Sequence, residues 1–168
     1  MSALYVGLGL SVYTWMLCLI STVLPYWSYL KQGRQTIHAG LWTNCTVRND
    51  KTNCVVPSEG WIHAVQALMI LATLALFISM VFGGRTLGDV SRKKSAFASI
   101  VTALIGGFLV LSAVIVFSEK NKHSNTTNSA GFALAIITVV TSFITAALFL
   151  LSSRKANRGG YSYSSIGD

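Results

Sequence analysis

"GWIHAVQALMILATLALFISMVFGG", residues 60–84, runs without a single Asp, Glu, Lys or Arg. Its apolar core is about 20 residues long, the length a helix needs to cross roughly 30 Å of hydrocarbon. Three other stretches are equally free of charge, residues 1–30, 95–118 and 123–153. These patterns place membrane spans at 4–24, 62–82, 97–117 and 131–151 within a single domain. A soluble buried bundle is the alternative, but four such lengths in 168 residues leave too little polar surface to face water. The composition agrees, being 52% hydrophobic and 11% charged, with the few charges clustered instead of interspersed.

The spans divide the remainder into a first loop at 25–61, a short connection at 83–96, a second loop at 118–130 and a tail at 152–168. A net charge of +8 is of the sign that nucleic-acid binding needs, yet the positions argue against that partner. Arg85, Arg92, Lys93 and Lys94 crowd the short connection, and Arg154, Lys155 and Arg158 follow the fourth span. Cations concentrated at helix ends on one side mark the cytoplasmic face, which puts both termini in the cytosol. Lys31, Arg34, Arg48, Lys51, Lys120 and Lys122 lie on the other side, so the charge count alone does not decide. Two glycosylation acceptors break the tie, because Asn44 in "NCT" and Asn125 in "NTT" both fall in loops that this topology places outside. The first apolar run has no preceding Lys or Arg and is followed by "PYW" instead of a small-residue cleavage site. It is expected to be a retained helix that also targets the chain to the secretory route.

The first loop is too long for a turn and too short for a separate domain, so something must staple it. Cys45 and Cys54 flank the turn-forming "RNDKTN" on the oxidising side. Thr46-Val47 and Val55-Val56 suggest a hairpin whose strands a disulfide would join, worth about 2.5 kcal/mol in the chain-entropy view. The alternative is a metal site drawing on Cys45, Cys54 and His38 or His63, but paired ligand spacings are missing. Cys18, inside the first span, is expected to be a small packing residue. Tyr26, Trp27, Tyr29 and Trp61 stand at span ends and form an expected interfacial belt, whereas Trp42 should fold back against the bilayer or the disulfide.

Polar residues inside the spans are mild. Thr138, Thr141, Ser142 and Thr145 form one hydroxyl stripe; Gly7, Ser11, Thr14, Cys18 and Ser21 form a second, and Ser99, Ala103, Gly106 and Ala113 a third. Such faces let helices approach closely in lipid. Gln66 is expected to hydrogen-bond between helices. No span carries an ionised residue of the sort a proton or ion pathway uses. Neither a nucleophile with a base, paired carboxylates, a phosphate-cradling loop nor a metal motif is present, so no catalysis and no cofactor is expected.

Trp27, then Gly40, Leu41 and Trp42 as "GLW", then Cys45 and Cys54 in the first outer loop of a four-span chain resemble the signature of the claudin superfamily. "GLWTNCT" followed by "VQALMIL" looks most like the peripheral myelin protein and epithelial membrane protein branch, with "AGFALA" in the fourth span adding support. The resemblance implies an all-α membrane protein, a four-transmembrane-helix bundle with a small extracellular antiparallel β-sheet. It implies that Cys45 and Cys54 pair, that Gly40, Leu41 and Trp42 anchor the sheet to the bundle, and that Asn44 carries a glycan. Such proteins act by contact, assembling laterally as homo-oligomers in the bilayer and meeting proteins on an apposed membrane. Residence at the plasma membrane, at cell–cell contacts, follows from it.

The leading functional expectation is therefore adhesion and membrane organisation through the stapled loop. A paracellular barrier or channel is the second reading, since Lys31, Arg34, Arg48 and Lys51 outweigh Asp50 and Glu59 and would favour anions. An auxiliary subunit of a channel or receptor is the third. Unlike claudins, the chain has a short first loop and ends in "SSIGD", which speaks against scaffolding through a PDZ domain. "YSSI", with Tyr163 and Ile166, fits a tyrosine-based sorting signal.

Overall fold

The computed structural model describes residues 2–32, 35–48, 51–86, 92–121 and 127–161. Four helices carry the apolar runs: α1 (Ser2–Val23), α2 (Gly60–Arg85), α3 (Arg92–Asn121) and α4 (Ala130–Tyr161). All four are long and apolar enough to cross a membrane. The 30 residues of α3 extend about 45 Å at 1.5 Å per residue, so this helix outruns the hydrocarbon. Its basic start, Arg92 to Lys94, belongs to the helix itself.

The helices form a ring in which α1 packs against α2 and α4, and α3 packs against the same two neighbours. Residues turned inward are small or complementary in shape. Gly106 accepts Leu76 of α2, whose Cδ2 lies 2.8 Å from where a Cβ would stand, and Gly107 accepts the Ser142 hydroxyl of α4. Residues turned outward are aliphatic or aromatic, among them Leu71, Leu74, Phe97, Phe108, Ile115, Val140 and Leu151. An apolar exterior around a polar-flecked interior is the arrangement that lipid stabilises.

Five strands cap one end of this bundle in the order β4-β3-β2-β1-β5. They are β1 (Ser28–Gln32), β2 (Gln35–Ala39), β3 (Asn44–Arg48), β4 (Lys51–Val55) and β5 (Thr127–Asn128), and every pairing is antiparallel. The first loop thus supplies four strands, more than the single hairpin that its β-rich residues suggest. The fifth arrives from the connection between α3 and α4 and ties the two loops together, with the Thr127 hydroxyl donating to the Tyr29 carbonyl at 2.9 Å. A core of Cys18, Trp27, Leu41, Val65, Met69, Ala72, Val110, Ala113, Phe117 and Phe132 is continuous from the sheet's base into the bundle.

The hydroxyl stripe of α4 turns Thr138, Ser142 and Thr145 into the bundle, where Ser142 packs closely on Gly107 of α3. Thr138, Thr141, Ser142 and Thr145 each donate to a carbonyl three or four residues back in α4, so their bonds stay within one helix. Polar contacts between helices sit elsewhere. Ser79 of α2 and Ser99 of α3 exchange bonds to each other's carbonyls, both 2.9 Å, and the Cys18 thiol lies 3.4 Å from the Thr73 hydroxyl.

Candidate functional site: the cap and its attachment to the bundle

The C-terminal end of α1 leaves its last carbonyls without partners in the helix. Leu24 N–H donates to Ile20 O at 2.9 Å. The next two carbonyls are met by tryptophans from the first loop: the Trp27 indole N–H donates to Ser21 O at 2.8 Å, and that of Trp42 to Thr22 O at 2.7 Å. Two indoles thereby cap one helix and draw the sheet down onto it.

Trp27 has no accessible surface, so its place in an interfacial belt must be corrected. Its ring packs edge-on against Phe117 of α3 at 5.0 Å and Phe132 of α4 at 6.4 Å between centroids. Its backbone N–H donates to Ala39 O, and its carbonyl accepts from Ser129 N–H ahead of α4. One side chain therefore joins three helices while its backbone joins the sheet. Gly131 completes the contact, because a Cβ there would lie 2.7 Å from the Trp27 ring and 2.8 Å from Tyr26 O. Its carbonyl accepts from the Ser21 hydroxyl at 2.8 Å, and its N–H donates to Tyr26 O at 2.7 Å. Gly131 is not evident as a partner of Trp27 from sequence, since that contact closes over more than a hundred residues, and the cue for it is a small residue opening the fourth span; Ser21 lies six residues before Trp27, but its role as acceptor depends on where α1 ends.

The "GLW" turn is built on the same principle. Gly40 passes so close to Pro25 that a Cβ would stand 2.6 Å from Pro25 Cα, which is backbone and cannot yield. Leu41 is buried in the core, and its carbonyl accepts from Gln66 Nε2 at 2.5 Å. Gln66 in turn accepts from His63 Nδ1 at 3.0 Å through its Oε1. The expectation of a helix-to-helix bond for Gln66 is thus replaced by one from α2 to the turn. Trp42, with its ring part-exposed, reaches the end of α1 through its indole N–H.

Across the sheet, Tyr29, His38, Cys45 and Cys54 form one row of directly opposed residues. Cys45 and Cys54 are joined by a disulfide, with Cα atoms 4.1 Å apart. Both sulfurs are therefore withdrawn from metal binding, and among the described residues no group of three His, Cys, Asp or Glu could hold an ion. His38 stands between Tyr26 and Tyr29, at 5.0 and 5.3 Å between ring centroids. Asn44 is half-buried at the start of β3. Strand β4 is one edge of the sheet and the short β5 the other, and all five residues of β4 are exposed. Asn125, Tyr163 and Ile166 lie outside the described residues, as do Arg34 and Asp50.

The model of the PMP-22/EMP/MP20/Claudin family matches residues 1–152, from the first helix through the fourth. The chain belongs to this family. Mouse epithelial membrane protein 1 is 28% identical over 148 residues, covering 84% of this chain and 91% of its own. Human claudin domain-containing protein 2 is 29% identical over 119 residues, 71% of this chain and 67% of its own. Rabbit epithelial membrane protein 1 is similar at 27% over 148 residues, with 84% and 91% covered. With four membrane-spanning helices and these relatives, this member of the PMP-22/EMP/MP20/Claudin family is a multi-pass membrane protein whose helices contact the lipid bilayer.

Proposed function

We propose that the protein is a non-enzymatic adhesive and organising component of the plasma membrane at cell–cell contacts, presenting its capped sheet to the extracellular side and both termini to the cytosol. The orientation is supported by Arg85, Lys94 and Arg154, which mark the helix ends remote from the sheet. The observation that carries the adhesive reading is the β4 edge. An exposed strand with unpaired backbone groups, followed by Val56 at 75% exposure, is held out by a cap that is itself rigidly attached. Expression in non-adherent cells should cause aggregation, and Val56→Asp should reduce it several-fold at unchanged surface density. Aggregation undiminished by that change would count against the reading. In an epithelial monolayer, a shift in dilution potential on expression would favour the paracellular alternative through exposed Lys31, Arg48 and Lys51.

Lateral assembly with a second copy is supported by Tyr13, near the middle of α1. Its side chain is 52% exposed on the lipid-facing side and forms no hydrogen bond among the described residues. A phenol in hydrocarbon needs a partner, and a phenol on another copy can both donate and accept. Tyr13→Phe is expected to lower the crosslinked dimer fraction in membranes without altering monomer folding; an unaltered fraction would exclude this face.

A further inference from the structure

Asn44 begins β3 with its backbone paired to Ala39 on one side and Val55 on the other. Its Oδ1 is enclosed without a hydrogen-bond partner among the described residues. The next residue, Cys45, is bonded to Cys54 directly across the hairpin. Asn44, Cys45 and Thr46 are also the three positions of an acceptor sequon. Two covalent reactions therefore compete for the same short stretch.

We propose that closure of the Cys45–Cys54 bond ends the reactivity of Asn44, so that each molecule's glycan state is decided while the hairpin is open and is fixed afterwards. The inference rests on the extracellular orientation of the cap. Glycan transfer joins Asn44 Nδ2 to the anomeric carbon of a lipid-linked oligosaccharide; the lipid diphosphate leaves and Nδ2 gives up a proton. Oxidation joins the two sulfurs instead. The thiols of Cys45 and Cys54 pass two electrons and two protons to a disulfide-bearing oxidant, which leaves as a dithiol.

The order matters for geometric reasons. A glycan added first changes only the amide and leaves the Cys45 thiol free to react. In the closed hairpin, however, Asn44 and Thr46 lie on one face of β3, roughly 6.6 Å apart along an extended strand. Bringing the amide and the hydroxyl together at a transferase site requires a bend in that strand. Such a bend breaks the pairing to both β2 and β4 while a covalent clip spans nine positions of the same hairpin. The Asn44 side chain, half-buried with its Oδ1 enclosed, would also have to leave its packing.

The test uses an Asn125→Gln background, so that every glycan reports Asn44. The chain is translated into microsomes with an excess acceptor tripeptide that blocks transfer, allowed to oxidise, and then freed of the competitor. Modification of a transiently opened site follows the open population, so Cys54→Ser, which leaves the sequon intact, should exceed the oxidised chain by about tenfold or more. Wild-type chain treated with dithiothreitol should match Cys54→Ser, and Asn44→Gln sets the baseline. Equal gain in oxidised and reduced chains would overturn this inference alone. No glycan in any form, including Cys54→Ser, would overturn both the inference and the orientation beneath it.

Discussion

Trp27→Ala is expected to be the most damaging single substitution in the chain. It removes a side chain without accessible surface that joins α1, α3 and α4, a class of change that costs about 3–5 kcal/mol. It also leaves Ser21 O without its donor in a buried place, where an unmade hydrogen bond adds about 1–3 kcal/mol. The detergent-solubilised protein should lose its cooperative thermal transition or show it at much lower temperature, and surface biotinylation should fall accordingly. Trp27→Phe separates the two contributions, because it keeps an aromatic ring but lacks the N–H. A wild-type transition in Trp27→Ala would mean that the sheet is not held by this residue.

The second large effect is expected at the disulfide. Strand β4 has one partner strand and no buried residue, so hydrophobic burial contributes little to its placement. The Cys45–Cys54 bond is what fastens it, and loss of a native disulfide from a small unit costs about 2–5 kcal/mol. In Cys54→Ser, amide hydrogen exchange over residues 51–55 should lose its protection while the four helices retain theirs. Adhesion should fail together with that protection. Equal protection in mutant and wild type would show that the backbone ladder alone holds the edge.

Trp27 and the Cys45–Cys54 pair also show how far the sequence could be read. The four helices were legible because lipid imposes a length and an absence of charge, both local properties. The resemblance carried by Trp27, "GLW" and the two cysteines implied a capped bundle, and the family match bears out that fold. Strands β1 and β2 were not legible from residue pattern, since "SYLKQ" and "QTIHA" lack a clean alternation and are defined by pairing with each other and with distant β5. Trp27 was misplaced for a related reason. An indole at a span's end usually sits in the headgroup layer, and only Phe117 and Phe132, far along the chain, convert that position into an interior one. Gln66 bonds the Leu41 carbonyl instead of a neighbouring helix because the turn brings an unpaired acceptor within reach. The hydroxyl stripe of α4 faces the bundle as its spacing suggests, while its protons go to backbone carbonyls one turn earlier instead of to another helix.

The most direct test of the capped, extracellular sheet is non-reducing peptide mass spectrometry on protein isolated from the cell surface, because a stable disulfide also reports an oxidising compartment. The expected result is a crosslinked peptide joining Cys45 to Cys54, with Cys18 recovered as a free thiol. Recovery of Cys45 and Cys54 as free thiols in the mature protein would contradict both the staple and the side of the membrane on which it lies.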